Sequence, residues 1–198
     1  ALRRHALGVI RMLVEKNLPL DVATLLPAAY VVFGDKLPAD GAAAIEALTT
    51  FIFERLAGSL REQGYSAQEV DAVLALRPQR LGDVPQRLAA VRAFAALPEA
   101  PALAAANKRI GNILKKADGT VDPHVSEILL KEPAEIALYA AMKGVTPVAL
   151  AQFESGDYTA SLQTLAALRA AVDAFFEGVM VNAEELDLRL NRLGLLTA

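Results

Sequence analysis

The chain has 198 residues, a formal net charge of −3 and a hydrophobic content of 54%, enough for one large or two small globular domains. It contains no cysteine, which excludes disulfide bonds and thiolate metal ligands. Because no uninterrupted apolar run reaches the roughly 18 residues of a membrane span and the N-terminus lacks a signal-peptide core, we expect a soluble, cytoplasmic protein with no membrane partner.

Apolar residues recur at helical spacing through the first third of the chain. Asp21 is a suitable N-cap, and residues 66–69 have the sequence of a capping box. The predicted elements, in chain order, are helices over residues 2–14 and 22–33, a turn cluster over 35–41, a helix over 42–64 and a short helix from 66. We expect residues 1–76 to form one helical module.

Two prolines and a glycine interrupt the helical period over residues 77–85, which we predict to be a linker between domains. Beyond this stretch no sustained alternation of apolar and polar residues predicts a strand. Helices are predicted over about residues 84–97, 98–116, 133–142 and 158–177. A further helix is predicted to start at residue 146, and a last one to follow a cap at residues 182–185. A turn is predicted at residues 118–119. The sequence therefore predicts an all-α protein of two packed helical modules, the second over residues 83–198.

Residues 104–117 contain four basic residues and no acidic one, in a chain that is acidic overall. On a helix of about 100° per residue, these cations and Asn112 share an arc of roughly 120°, and apolar residues lie on the opposite side. Such a helix can pack through its apolar face and present cations to a phosphate backbone. The wider stretch 77–116 holds eight Lys or Arg against two acids. An ordinary solvated basic face would give the same pattern.

Cationic side chains are candidates for phosphate contacts, and amide side chains can both donate to and accept from base edges. The candidate RNA-binding residues are Lys108, Arg109, Lys115, Lys116, Arg80 and Arg87 for phosphates and Asn107, Asn112 and Asn182 for bases. Phe176, close to Asn182 in sequence, could add a stacking surface for an unpaired base. Phe175 and Phe176 nevertheless fit a core position better than an exposed one.

Catalytic motifs are missing from the sequence, which has neither a nucleophile elbow nor a Gly-rich phosphate loop. Its two histidines, His5 and His124, are not followed by Asp, so there is no His-Asp dyad of a metal phosphohydrolase. We predict no catalytic residue and no metal site. Arg189 and Arg192 are expected to pair with Glu185 or Asp187 rather than to contact RNA.

Several segments resemble known families. Residues 104–117, with the pattern Ala-x-x-Arg-x-x-x-Ile-Leu-x-Lys, and residues 175–196, with paired aromatics and a Leu-Arg-x-x-Arg-Leu ending, resemble the start and the end of the DALR domain, the helical anticodon-binding domain of the arginyl-tRNA synthetase type. Residues 1–18, 76–80 and 87–94 are similar to the C-terminal region of the beta subunit of the bacterial heterotetrameric glycyl-tRNA synthetase. The resemblance covers essentially the whole chain.

This resemblance implies a non-catalytic part of an aminoacyl-tRNA synthetase. Residues 1–76 would be the tail of an HD-like or linker region, and residues 83–198 would be the anticodon-binding domain. The implied partners are tRNA(Gly), whose anticodon arm this chain would position, and the alpha subunit of the heterotetramer. ATP and magnesium would be bound by the alpha subunit and no cofactor by this chain.

The chain begins with Ala1 inside a helical pattern, so we expect it to be a piece of a longer subunit. Two other interpretations remain open. One is a helical scaffold that docks the alpha subunit and contacts no RNA. The other is a shortened HD-type hydrolase, which would require a metal ion.

Overall fold

The computed structural model describes residues 1–37, 41–117 and 119–198, and it divides into two compact units, Ala1–Arg92 and Ala93–Ala198. Throughout these ranges the regular structure is helical, apart from one isolated antiparallel bridge between Asp21 and Arg80. The predicted all-α class is therefore confirmed. Residues 38–40 and 118, which belong to two predicted turns, lie outside the described residues.

The first unit is organised around a long central helix. Its helices are α1 (Leu2–Glu15), α2 (Val22–Phe33), α3 (Gly41–Glu62), α4 (Ala67–Leu74) and most of α5 (Val84–Ala95). Helices α1, α2 and α4 all pack against α3, and Leu56 and Val70 are fully buried between them. The predicted capping box at the start of α4 is confirmed, since Ser66 Oγ accepts from the Glu69 N–H at 3.2 Å and the Glu69 carboxylate accepts from the Ser66 N–H at 2.7 Å.

The segment predicted to be a linker, residues 77–85, is a packed part of the first unit, and the division of the chain follows Arg92 instead. A 3-10 turn at Leu81–Asp83 leads into α5, and both Leu81 and Val84 are 0% exposed. Prolines interrupt the helical period here because they stand between helices and in the first turn of α5. The apolar residues between them still reach the core.

The second unit is built around another long helix. Its helices are α6 (Ala100–Leu114), α7 (Pro133–Glu154), α8 (Tyr158–Ala166), α9 (Arg169–Gly178) and α10 (Leu186–Thr197). Helix α7 packs against both α8 and α9, while α6 contacts α9 and α10. Leu138, Phe175 and Leu195 are among the most deeply buried residues of this core.

Two helix predictions in the second unit are wrong. Helix α7 continues through Pro147 to its end at Glu154, although we predicted an end near residue 142 and a new start at 146. The single helix predicted over 158–177 is broken at residues 167–168, between α8 and α9. Both halves contact α7, so tertiary packing overrides local propensity here. A proline inside a helix costs about 3 kcal/mol, which packing of α7 must offset.

Helix α7 is long and apolar enough to cross a membrane by length and composition, with a mean hydropathy of 1.3 over its best window. No uninterrupted apolar run in this helix reaches the length of a span, because Glu135 and Lys143 lie within it. These charges have partners within the second unit, since Glu135 binds Arg192 and Lys143 binds Glu127 at 2.9 Å. Of the residues in that window, 11% are buried in the structure.

A buried ion pair joins α7 to α10. Arg192 donates from Nε to Glu135 Oε1 and from Nη1 to the carbonyl of Met180 at 2.8 Å, and Glu135 is 0% exposed. Glu135 Oε2 also accepts from the N–H groups of Lys131 and Glu132, each at 2.8 Å. Burial raises the pKa of Glu135, but the hydrogen bonds from these groups and the charge of Arg192 outweigh it and hold the pKa below its usual value.

Helical spacing predicted that Arg192 pairs with Glu185 or Asp187. That prediction is wrong, because Arg192 pairs with Glu135 instead. The two residues of the actual pair lie 57 positions apart in the sequence. Only the folding of the second unit around its shared core brings them together.

Helix α10 also lies directly against the segment that follows α6. The side chain of Asn191 makes two hydrogen bonds to the backbone of Ser126. Its Oδ1 accepts from the Ser126 N–H at 2.7 Å, and its Nδ2 donates to the Ser126 carbonyl at 3.2 Å. A Cβ at Gly194 would stand 2.6 Å from the His124 carbonyl oxygen and 2.9 Å from that of Asp122. Glycine at 194 is therefore required for this close approach.

We expect Arg192→Met to lower the free energy of unfolding by about 3–5 kcal/mol at pH 7, because it leaves a buried carboxylate without its partner. The difference from the unchanged chain should shrink as the pH falls, because protonation of Glu135 removes the unpaired buried charge from the variant, while the unchanged chain loses the stability of its ion pair as the pH falls through the lowered pKa of Glu135. Urea unfolding at several pH values measures both. The matched control is Arg169→Met, which removes an exposed pair with Asp173 and should change stability by less than about 1 kcal/mol. Equal losses in the two variants would contradict the importance of the buried pair.

Gly194→Ala should destabilise the chain by about 1–3 kcal/mol, because the new methyl group overlaps backbone carbonyl oxygens that cannot move independently. The control is Gly144→Ala within α7, where a Cβ meets nothing within 4 Å. That change should stabilise the helix by roughly 0.5–1 kcal/mol. Thermal unfolding of both variants tests the contact, and a stabilised Gly194→Ala variant would contradict it.

Candidate nucleic-acid interface

A groove of about 1100 Å³ lies on the second unit. It is lined by one face of α6, by the segment over residues 120–126 and by one face of α10. The α6 face is held in place by Ile113 and Leu114, which pack against the core. The geometry of the groove therefore follows from the amphipathic pattern of α6 and from the close packing of α10 on the preceding segment.

The wall formed by α6 and the turn after it is cationic. Lys108, Arg109, Asn112 and Lys116 line the groove, and all four are exposed. The helix ends at Leu114, and Lys116 follows in a turn. The side chains that a helical projection of the sequence grouped on one face thus lie along one wall of the groove.

The opposite wall, on α10, combines apolar and polar side chains. Leu186 and Leu190 line it and remain 54% and 52% exposed. Arg189 also lines this wall, and it forms no ion pair with any residue that the structure describes. Asn182 lies at the same groove, just before α10.

Positive charge prevails in the groove. Four cationic side chains line it against two carboxylates, those of Asp122 and Asp187. One of these carboxylates already accepts a hydrogen bond within the chain, from the His124 N–H to Asp122 Oδ1 at 2.9 Å. A groove of this sign concentrates anions, and cations along one edge suit a polymer with regularly spaced phosphates.

The two neighbouring phenylalanines on α9 have different positions. Phe175 is 0% exposed, as a core residue should be, and Phe176 is partly buried beside it, with ring centroids 5.6 Å apart in an edge-to-face arrangement. The guanidinium carbon of Arg109 lies 4.2 Å from the centroid of the Phe176 ring. The ring face that the sequence suggested for a base is therefore covered by an arginine from α6.

The structure brings together five of the nine predicted residues in this groove: Lys108, Arg109, Asn112, Lys116 and Asn182. Asn107 and Lys115 are exposed on or next to α6 but do not line the groove. Arg80 and Arg87 lie in the first unit, where Arg80 donates to Asn17 Oδ1 at 3.2 Å and pairs with Asp83 at 3.4 Å.

Sequence reasoning missed the contribution of α10 to the groove. Leu186, Arg189, Leu190 and Leu193 have the i, i+3, i+4, i+7 spacing of one helical face, which was the available signal. Of these residues, only Arg189 was considered in the sequence, and it was expected to pair with Glu185 or Asp187 rather than to contact RNA. Within the described residues, no group of three or more His, Asp or Glu side chains is arranged to hold a metal ion.

Two family models match this chain, one within each of its two units. Residues 1–75 match the family model described as glycyl-tRNA synthetase beta subunit, and residues 103–198 match the DALR anticodon binding domain. The second match covers α6 from near its start and all of α7 to α10, and so includes every residue that lines the groove.

Curated relatives match along nearly the whole chain. The glycine–tRNA ligase beta subunit of Polaromonas naphthalenivorans is 76% identical over 196 residues, which are 99% of this chain and 27% of the relative. The corresponding proteins of Acidovorax sp. (strain JS42) and Dechloromonas aromatica are 72% and 65% identical, again over 99% of this chain and 26% and 27% of their own lengths. The chain thus spans about a quarter of the length of these relatives. The chain is therefore similar, along nearly its whole length, to one part of glycine–tRNA ligase beta subunits, and its residues 103–198 are similar to the DALR anticodon binding domain.

Proposed function

We propose that the groove of the second unit binds RNA, with phosphates along the cationic wall of α6. The observation that carries this proposal is the clustering of Lys108, Arg109 and Lys116 on one wall of a groove that also contains amide side chains. Cations supply affinity for the backbone, and Asn112 and Asn182 can donate to and accept from base edges. The family match of residues 103–198 supports this assignment.

The RNA in this proposal is the anticodon arm of tRNA(Gly). The complete protein would be the beta subunit of a cytoplasmic, heterotetrameric glycine–tRNA ligase; the relatives are named glycine–tRNA ligase beta subunit. This chain would hold the anticodon arm and thereby orient the acceptor end towards a distant active site, which is a contribution of positioning rather than of chemistry. ATP and magnesium would be bound by the alpha subunit, which would also carry out aminoacylation.

A second candidate function is docking of the alpha subunit without RNA contact. Its support comes from the end of α2, where Val31, Val32 and Phe33 are 76%, 84% and 54% exposed. Association through such an apolar surface would depend only weakly on salt, whereas binding of RNA through cations weakens steeply as salt rises.

We expect the double variant Lys108→Ala, Lys116→Ala to bind the tRNA(Gly) anticodon stem-loop more weakly and with a shallower salt dependence. Each lost phosphate contact on a single strand reduces the slope of log K against log salt by about 0.7, so the slope should fall by about 1.4. Fluorescence anisotropy at several salt concentrations measures this slope for the 198-residue chain.

The matched control is Lys16→Ala, Lys131→Ala, which removes the same charge from two exposed lysines outside the groove. This control should keep the original slope, apart from a small general loss of affinity. The single variant Lys115→Ala tests the predicted lysine that does not line the groove. An equal slope for the groove variant and the unchanged chain would remove α6 from the interface.

A further inference from the structure

We propose that Arg109, supported from below by Phe176, is a stacking platform for one unpaired RNA base. The inference rests on the proposed RNA-binding function of the groove and adds to it a specific binding residue with a role other than that of a phosphate ligand. Its ligand class is the face of a nucleobase that is not engaged in a duplex.

The platform is anchored to the core through a continuous series of contacts. Phe175 is fully buried, Phe176 meets it edge to face at 5.6 Å, and the guanidinium carbon of Arg109 lies 4.2 Å from the centroid of the Phe176 ring. The cation–π contact fixes the end of an otherwise flexible side chain before any ligand arrives. A fixed group loses less conformational entropy on binding.

Arg109 also keeps one side available. It is exposed and lines the groove, and no carboxylate among the described residues forms an ion pair with it. Since the Phe176 ring covers one side of the guanidinium, the other side is left for a ligand in the groove. Unpaired bases of RNA stack on arginine planes as they do on aromatic rings.

The neighbouring residues suit the other parts of a nucleotide. Lys108 and Lys116 line the same wall and can bind the phosphates on either side of a stacked base. Asn112 lies one helical turn from Lys108 and can reach a base edge or a ribose hydroxyl. Arg109 differs from these residues because a planar group, rather than charge alone, is needed for stacking.

The test is a double-mutant cycle, which combines a substitution in the protein with a change in the RNA. The 198-residue chain, the variant Arg109→Lys and the control Lys108→Arg are each titrated with the tRNA(Gly) anticodon stem-loop. They are also titrated with a series of stem-loops in which each unpaired nucleotide in turn is made abasic. Both substitutions keep the net charge, and both sites are exposed, so neither variant is expected to disturb the fold.

Arg109→Lys should weaken binding of the intact stem-loop by about tenfold, which lies in the lower half of the range for loss of one stacked base. On one abasic stem-loop, the variant and the unchanged chain should bind equally, within about twofold, because the stacked base is already missing. Lys108→Arg should show no such coupling. A second variant, Phe176→Leu, should also weaken binding of the intact stem-loop and should match the unchanged chain on the same abasic stem-loop as Arg109→Lys, since removal of the ring releases the guanidinium.

Two negative results are distinguishable. If Arg109→Lys weakens all stem-loops alike, or no more than Lys108→Arg does, the stacking role is overturned while RNA binding in the groove stands. If the unchanged chain binds none of the stem-loops in a salt-dependent manner, the proposed function fails and the stacking site fails with it.

Discussion

The second unit depends on the buried contact between Arg192 and Glu135. A charged pair in an apolar interior is stable only when its remaining hydrogen-bonding groups are satisfied, and here the Met180 carbonyl and the N–H groups of Lys131 and Glu132 complete the set. These bonds tie α10, the start of α7 and the segment after α9 into one arrangement. Because α10 and Asn182 line the groove, the position of its α10 wall follows from this buried pair.

The groove combines two kinds of wall on opposite helices. Helix α6 packs through Ile113 and Leu114 and leaves its cations outside, whereas α10 packs through Leu193 and Leu195 and leaves Leu186 and Leu190 exposed. A cationic wall facing one that exposes leucines suits a single strand, because its phosphates favour cations and its base faces favour apolar groups. The stack of Arg109 on Phe176 adds a fixed planar group on the cationic side.

Much of this arrangement could be predicted from local sequence. The bounds of α1 and α2 and the cationic face of α6 follow from helical periodicity, and the Ser66–Glu69 capping box follows from capping rules, all of which act over a few residues; Asp21 stands at the predicted N-cap position of α2, but its side chain makes no capping hydrogen bond. The break between α8 and α9, the passage of α7 through Pro147 and the pairing of Arg192 could not be predicted this way. Each depends on contacts between distant parts of the chain. The cation–π contact between Arg109 and Phe176 could not be predicted for the same reason, since α6 and α9 are far apart in sequence.

The most direct measurement of the central claim is binding of the 198-residue chain to glycine tRNA at two salt concentrations, beside the same tRNA with its anticodon replaced. Fluorescence anisotropy gives both affinities under identical conditions. We expect tighter binding of the native anticodon at each salt concentration and a steep loss of affinity for both RNAs as salt increases. Equal affinities would contradict recognition of anticodon bases, and salt-insensitive or absent binding would contradict the cationic groove as an RNA site.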